Sequence, residues 1–406
     1  MGNVTAQRAR SINIAAILCV VVGLAAMGVI FFTLNQRLGE TGFSFGSAND
    51  TPTQQEQESV TAPQDGGKLD PVELNTDVDG DAAGKRTSTY GASAPAGNLL
   101  NGGYVASDGE WVYYAIPAQG SDWTTNAIGR MKPDGSSKSV IYRASKSGVY
   151  IWHMVAEGGR LFFVEESESS NAGGQLVSIE TNGSGRKVHT STAPASSVML
   201  NEGVVYVSVE DGIFAYDVEA DKATYITGGP GGDDLWRTYG TGSGARLFYF
   251  TKGGSNVHAA QLGNKRLSGT KVVGLTGKAK VINAVPAEGK LWLLVDNDGD
   301  GYGDAVFEAA LDGSTVGQYA KASGTAYRIN VCEKGVILVV GDSKSERIEL
   351  IAKKDAKPTV YYSAPADTDL RLPAVVGDYL YFGDYGSNHL YRIPLDSPGK
   401  TPETVA

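Results

Sequence analysis

The stretch VDNDGDGYGDAVF sets Asp296, Asp298, Asp300 and Asp304 between two apolar runs, with Gly301 among them. Carboxylates at alternate positions of a tight loop bring their oxygens together, and a hard cation such as calcium takes about six to eight oxygen ligands. Glycine at the sixth loop position permits the sharp turn that points the next backbone carbonyl inward. The expected ligand set is therefore Asp296, Asp298, Asp300, the carbonyl of Tyr302, and Asp304, with calcium as a structural ion. Without a cation, four carboxylates this close would repel one another. An EF-hand would end its loop on a bidentate glutamate, but Phe307 stands at that place and Glu308 comes one residue late. The flanking KLWLLV and AVFEAAL read as strands, where an EF-hand has helices.

Strands on both sides of the loop belong to a repeat. Gly109, Gly159, Gly203, Gly244, Gly289, Gly335 and Gly377 each precede a run of large apolar residues, such as GEWVYY, GRLFFV, GKLWLL and GDYLYF, and they lie 41 to 50 residues apart. A loop, a second β-type stretch, a tight turn and a fourth short strand follow most of them. Four strands in about 45 residues is the period of a β-propeller blade, a small twisted sheet that covers both its faces only by packing on its neighbours. The expected fold is all-β, a β-propeller over 97–406 with seven blades, or six if the weakest unit, 196–226, is degenerate.

A second set of candidate residues comes from the same repeat. Seven or eight positions before the anchor glycines stand Trp152 with His153, Trp236 with Arg237, Tyr327 with Arg328, and Leu370 with Arg371. These positions begin the innermost strands and would ring one mouth of the central channel. Aromatic faces beside guanidinium groups suit a sugar or a carboxylate-bearing ligand. Neighbours on a strand point to opposite faces, however, so one of each pair is equally suited to filling the core between blades.

The first unit, NGGYVASDGEWVYYA with IGRMKPDGSSKSVIYR, resembles a bacterial family of propellers without an assigned activity, related to those of low-density-lipoprotein receptors. In the last unit YLYFGDYGSNHLYRIPLDSPG is similar to the receptor repeat built on Tyr-Trp-Thr-Asp, with Tyr381, Phe382, Gly383 and Asp384 at the four motif positions. The resemblance implies the fold and no catalytic residue. The aspartate loop resembles the calcium loops of integrin α-chain propellers at Asp296, Asp298, Asp300, Tyr302 and Asp304, where the ion braces a hairpin.

The chain ahead of the repeats differs in kind. Residues 14–34, IAAILCVVVGLAAMGVIFFTL, carry no charge and as a helix would cross the roughly 30 Å core of a bilayer. No small-residue cleavage site follows, so the segment is expected to stay as a signal-anchor. Arg8 and Arg10 precede it, which places residues 1–13 in the cytoplasm. Residues 35–96 are expected to form a disordered acidic tether; over 38–95 ten acids face three bases, and no apolar periodicity is sustained.

Net charge is −10, with no basic stripe, which argues against a nucleic-acid partner. The four histidines are scattered, the two cysteines lie far apart, and no Ser-His-Asp set, phosphate loop or zinc motif is present. The expectation is a single-pass cell-surface protein whose extracytoplasmic propeller binds or scaffolds a protein, peptide or glycan. The alternative is a membrane-tethered extracellular hydrolase or lactonase working in the channel.

Overall fold

Each glycine-led apolar run becomes the second strand of an antiparallel hairpin. The computed structural model describes residues 95–406 apart from short stretches, among them 168–173, 190–196, 228–237 and 251–256. The expected cytoplasmic segment 1–13, the span 14–34 and nearly all of the tether 35–96 lie outside the described residues. Among those described, no helix is long and apolar enough to cross a membrane.

Consecutive strands pair into five four-stranded sheets and one of seven strands. In chain order these cover 105–143, 149–188, 197–227, 238–273, the long sheet 280–363, and the last sheet 370–404. The long sheet turns on one strand, Val316–Cys332. Its first half pairs with Gly303–Ala310 (Val316 opposite Ala309, Lys321 opposite Ala305), and its second half pairs with Gly335–Gly341 (Thr325 opposite Gly341, Cys332 opposite Gly335). Burial dips between Lys321 and Thr325, where the strand changes partner.

In the first sheet burial falls from the inside outward. Val105–Ser107 is wholly buried while Ser139–Arg143, the outermost strand of the same sheet, is largely exposed. The second strand is apolar on both faces, because side chains alternate across a strand and each face meets a different neighbour. Tyr113 packs with Ile151 and Phe163 of the second sheet; Tyr114, the next residue, packs with Tyr381 and Leu390 of the last. Phe162 and Val164 meet Val205 and Tyr216, and Phe248 meets Leu291 and Leu293. Leu338 and Val340 share a core with Leu380 and Phe382. The innermost strands Ser197–Asn201 and Thr238–Thr241 lie side by side, so the sheets close into a ring.

Polar contacts lock that closure. Arg392, almost wholly buried in the last sheet, donates from Nη1 to the Pro133 carbonyl at 3.0 Å and from Nη2 to the Asp134 carbonyl at 3.1 Å. These carbonyls belong to the turn before the outermost strand of the first sheet. Glu403 accepts from Arg392 Nε at 2.9 Å, and the Tyr379 ring lies 4.2 Å from the guanidinium carbon.

A short helix not expected from the sequence, α1 (Ala96–Leu100), touches the innermost strands of the third, fourth, long and last sheets. Asn98 Nδ2 donates to the Val375 carbonyl and its Oδ1 accepts from the Val375 N–H, both at 2.7 Å. Asn101 Nδ2 donates to the Ile329 carbonyl at 2.9 Å. Beyond the helix, the N–H groups of His153 and Met154 donate to the carbonyls of Gly102 and Gly103 at 2.7 and 2.8 Å. Residues 96–103 therefore lie along the axis of the ring. Gly97 is required there, because a side-chain carbon would collide with the Asn330 amide.

Candidate functional site

The aspartate loop lies between the strands Lys290–Asp296 and Gly303–Ala310, at the end of the long sheet where its innermost strand begins, since Lys280 pairs with Asp296. Asp296 is buried and organises the turn. Its Oδ1 accepts from the N–H groups of Asp298 at 3.1 Å and Gly299 at 2.6 Å, and its Oδ2 from Gly301 at 2.9 Å. Asp304 Oδ2 accepts from the Asn297 N–H at 2.7 Å. Gly299 and Gly301 both take left-handed φ, near 90°, and nothing stands close enough to exclude a side chain; the turn conformation is what demands glycine.

Asp296, Asp298 and Asp304 each bring a carboxylate oxygen within 4.8 Å of the others, a group that can hold a metal ion. Two oxygens bound at about 2.4 Å to one ion are at most about 4.8 Å apart, so the separation fits a shared cation. Asp296 Oδ1 already accepts two backbone hydrogen bonds, while Asp296 Oδ2, Asp298 Oδ1 and Asp304 Oδ2 accept one each and keep a further lone pair. Asp300 lies outside this group, and its Oδ1 accepts from the Tyr302 N–H at 2.8 Å.

The expected mouth residues separate into two groups. Trp152 packs against both cores flanking the second sheet, with its ring 5.1 Å from that of buried His153. A bulge between Trp152 and Val155 frees His153, at left-handed φ, to pair with Gly102. Trp236 and Arg237 lie outside the described residues.

Tyr327 meets the aspartate loop at Tyr302, and Arg328 and Arg371 lie near Glu346. Tyr327 occupies a bulge between Ala326 and Arg328, and its ring lies over Gly341, where a methyl group would come within 2.5 Å of it. The exposed ring of Tyr302 meets Tyr327 edge-on, with centroids 5.3 Å apart and planes at 85°. Burial raises the Tyr327 phenol above its ordinary pKa, with Glu346, Tyr302, Asp369 and Asp300 adding to the rise. Glu346 Oε2 accepts from the Leu370 N–H at 2.6 Å. Burial holds the Glu346 carboxyl above its usual range and Asp369 pushes it further, while the Leu370 N–H, Arg371 and Arg328 pull it back. Arg371 pairs with Asp369, and Arg328 Nη1 donates to the Tyr327 carbonyl at 3.1 Å.

The one serine–histidine contact among the described residues is Ser178 Oγ with His189 Nε2 at 2.8 Å. Ser178 is completely buried and accepts from Arg160 Nε and Nη2 at 3.1 and 2.8 Å, which makes it a polar brace within the second sheet. Asn98, Asn101 and Asn330 were missed in the sequence. Their one visible signal is an asparagine inside an apolar strand, Asn330 in RINVC, because a buried amide requires partners.

No protein-family model matches the chain, and no curated protein matches it in sequence. In structure it is similar to a prolyl endopeptidase, with a TM-score of 0.53 and 11% identity over 79% of this chain and 52% of the other. A puromycin hydrolase matches with a TM-score of 0.53, 12% identity, and 79% and 57% of the two chains. A puromycin-hydrolyzing peptidase of Mycobacterium tuberculosis matches with a TM-score of 0.52, 10% identity, and 79% and 56%. The chain spans about half the length of these proteins. The likeness is one of fold, and that fold is of the β-propeller type.

Proposed function

We propose that this chain is a seven-bladed propeller, held at a membrane by residues 14–34 through the tether 35–96, that acts by binding an extracytoplasmic protein, peptide or glycan. Counting the long sheet as two blades gives seven, since Val316–Cys332 serves as outer strand of one and inner strand of the next. The kinship with low-density-lipoprotein-receptor repeats belongs to this reading. It rests on Tyr381, Phe382, Gly383 and Asp384.

The observation that carries the binding reading is the occupied axis. A propeller enzyme gathers its reacting groups along the central channel. Here Asn98 and Asn101 lie on that axis with their amides bonded to the innermost strands. What remains open to a ligand is a mouth of the ring. The hydrolase or lactonase alternative draws on the likeness to peptidases, which at 10–12% identity extends to fold alone.

In this reading the aspartate loop takes calcium. Its donors are all oxygen, the set that hard cations prefer, whereas zinc and copper sites favour nitrogen and sulfur ligands. Asp296, Asp298 and Asp304 would hold the ion, with Asp300 and the Tyr302 carbonyl as the remaining candidates, and the ion would brace the hairpin. The purified full-length chain tested against glycan and peptide arrays, and against ester, lactone and peptide substrates, decides between the readings. Binding without turnover supports the module; turnover abolished by a channel substitution would replace it with the hydrolase.

A further inference from the structure

The aspartate loop and the expected mouth residues were two separate features of the sequence; in the fold they meet at Tyr302. Tyr302 is the one aromatic residue among the large hydrophobic side chains that stand exposed in the described residues. An exposed ring usually rotates freely and binds poorly, because ordering it costs conformational entropy. This one is held at both ends. Its backbone N–H donates to Asp300, and its ring meets Tyr327 edge-on. Tyr327 is fixed in turn by lying over Gly341.

We infer that Tyr302 and Tyr327, framed by Arg328, Glu346, Asp369 and Arg371, form a recognition site for a neutral saccharide. The inference rests on the binding reading above and names the ligand class. Charge selects it. Beside Tyr327, Arg328 and Arg371 balance Glu346 and Asp369, Arg371 being directly paired with Asp369, while the loop's aspartates face the cation they are read as holding. An anionic ligand would meet the two carboxylates and the nearby Asp300, and a cationic one would meet the two guanidiniums. Of the two ligand classes expected from the sequence, a sugar or a carboxylate-bearing ligand, this keeps the sugar.

A sugar hydroxyl both donates and accepts hydrogen bonds. Carboxylates only accept and guanidiniums only donate, so the presence of both kinds beside an aromatic pair suits hydroxyls that do both. The C–H face of a hexose is apolar and suits an aromatic ring, and the Tyr302 ring stands about half exposed beside Tyr327.

The test uses the full chain in a detergent without a sugar headgroup. The probes are neutral gluco-, galacto- and manno-oligosaccharides, uronic-acid oligosaccharides and a lysine-rich peptide. At least one neutral series is expected to bind. Tyr302→Ala should weaken it about tenfold or more, and Tyr302→Phe, which keeps the ring, should restore most of the affinity. Gly341→Ala, which displaces the Tyr327 ring, should weaken it without touching Tyr302. Val140→Ser, on the outer edge of the first sheet, is the control.

Neutral oligosaccharide binding that survives both Tyr302→Ala and Gly341→Ala overturns the site and leaves the binding module standing. Uronic-acid or peptide binding that depends on Tyr302, with no neutral sugar bound, overturns the ligand class. No binding by any probe overturns the saccharide inference; if arrays of other ligands are silent as well, the module reading falls with it.

Discussion

Asn330 Nδ2 donates to Asn98 Oδ1 at 2.9 Å across 232 residues of sequence. The same Nδ2 donates to the Pro373 carbonyl at 2.7 Å, and Asn98 bonds both backbone groups of Val375. One buried amide pair thus joins the axial helix to the innermost strands of the long and last sheets. Removing the Asn98 amide leaves the Val375 N–H and carbonyl and the Asn330 amide short of partners, each costing about 1–3 kcal/mol. Asn98→Ala should therefore lower stability by on the order of 3 kcal/mol in urea unfolding, and a chain beginning at Tyr104 should lose at least as much. Unchanged midpoints would mean that the axial segment does not brace the ring.

Calcium should raise the melting temperature by mass action on the folded state, with affinity on the order of 10⁻⁴–10⁻³ M. Asp298→Asn should remove the shift and keep the fold, because Asp298 is exposed and Asp296 supplies the bonds that shape the turn. A melt that is identical in chelator and in millimolar calcium would exclude the ion.

Arg392 joins the end of the ring to its beginning, and replacing it removes a donor from the Pro133 and Asp134 carbonyls and strands Glu403. Breaking a buried charged pair from one side costs about 3–5 kcal/mol. Glu403 is half exposed, so the lower end is expected for Arg392→Met. Arg392→Lys should recover little, since one ammonium cannot span Pro133, Asp134 and Glu403 as the guanidinium fork does. Removing residues 403–406 should act in the same direction, because the Val405 N–H donates to the Leu390 carbonyl and the Leu390 N–H to that of Ala406. Thermal melts of the three variants test the closure.

Cys332 is buried, and burial pushes its thiol up to about 11 from an ordinary 9.0. Nearby backbone N–H groups of Lys334 and Gly335 pull it down by less. Between these values the unfolded chain ionises at this residue and the folded chain does not. The thiol's contribution is thus intact below about pH 9 and is lost as pH rises towards 11, by on the order of 1–3 kcal/mol. Buried tyrosines such as Tyr381, raised to about 12 chiefly by burial, act in the same direction at higher pH. Cys332→Ala should flatten the lower part of this decline. Peptide mapping after alkylation at pH 8 should find Cys332 unmodified in the native chain and modified in urea.

The repeat was legible in the chain because its causes are local. A tight turn needs glycine, and at five of the seven anchors, Gly109, Gly159, Gly289, Gly335 and Gly377, φ is positive in the hairpin turn; the other two lie outside the described residues. A strand covered on both faces must be apolar throughout, which is why RLFFV and KLWLL read as second strands without any knowledge of their neighbours. The aspartate loop was legible for the same reason: its ligands and its turn lie within nine residues.

Long-range pairings leave no such mark. Asn98 and Asn330 meet only because the ring brings its innermost strands to one axis, and nothing in AGNLLNGG distinguishes a helix on that axis from the end of a tether. The pairs at the strand starts were equivalent by position, and Trp152 and Tyr327 both pack against the cores beside their sheets, yet Tyr327 also meets the exposed ring of the loop. Each innermost strand there carries a bulge, and a bulge re-aims the side chains that alternation assigns. The strand pattern therefore determined that a ring forms and where one loop gathers carboxylates. Closure of the ring decided which distant residues share the mouth, because that depends on how the sheets pack against each other, a property that no single repeat contains.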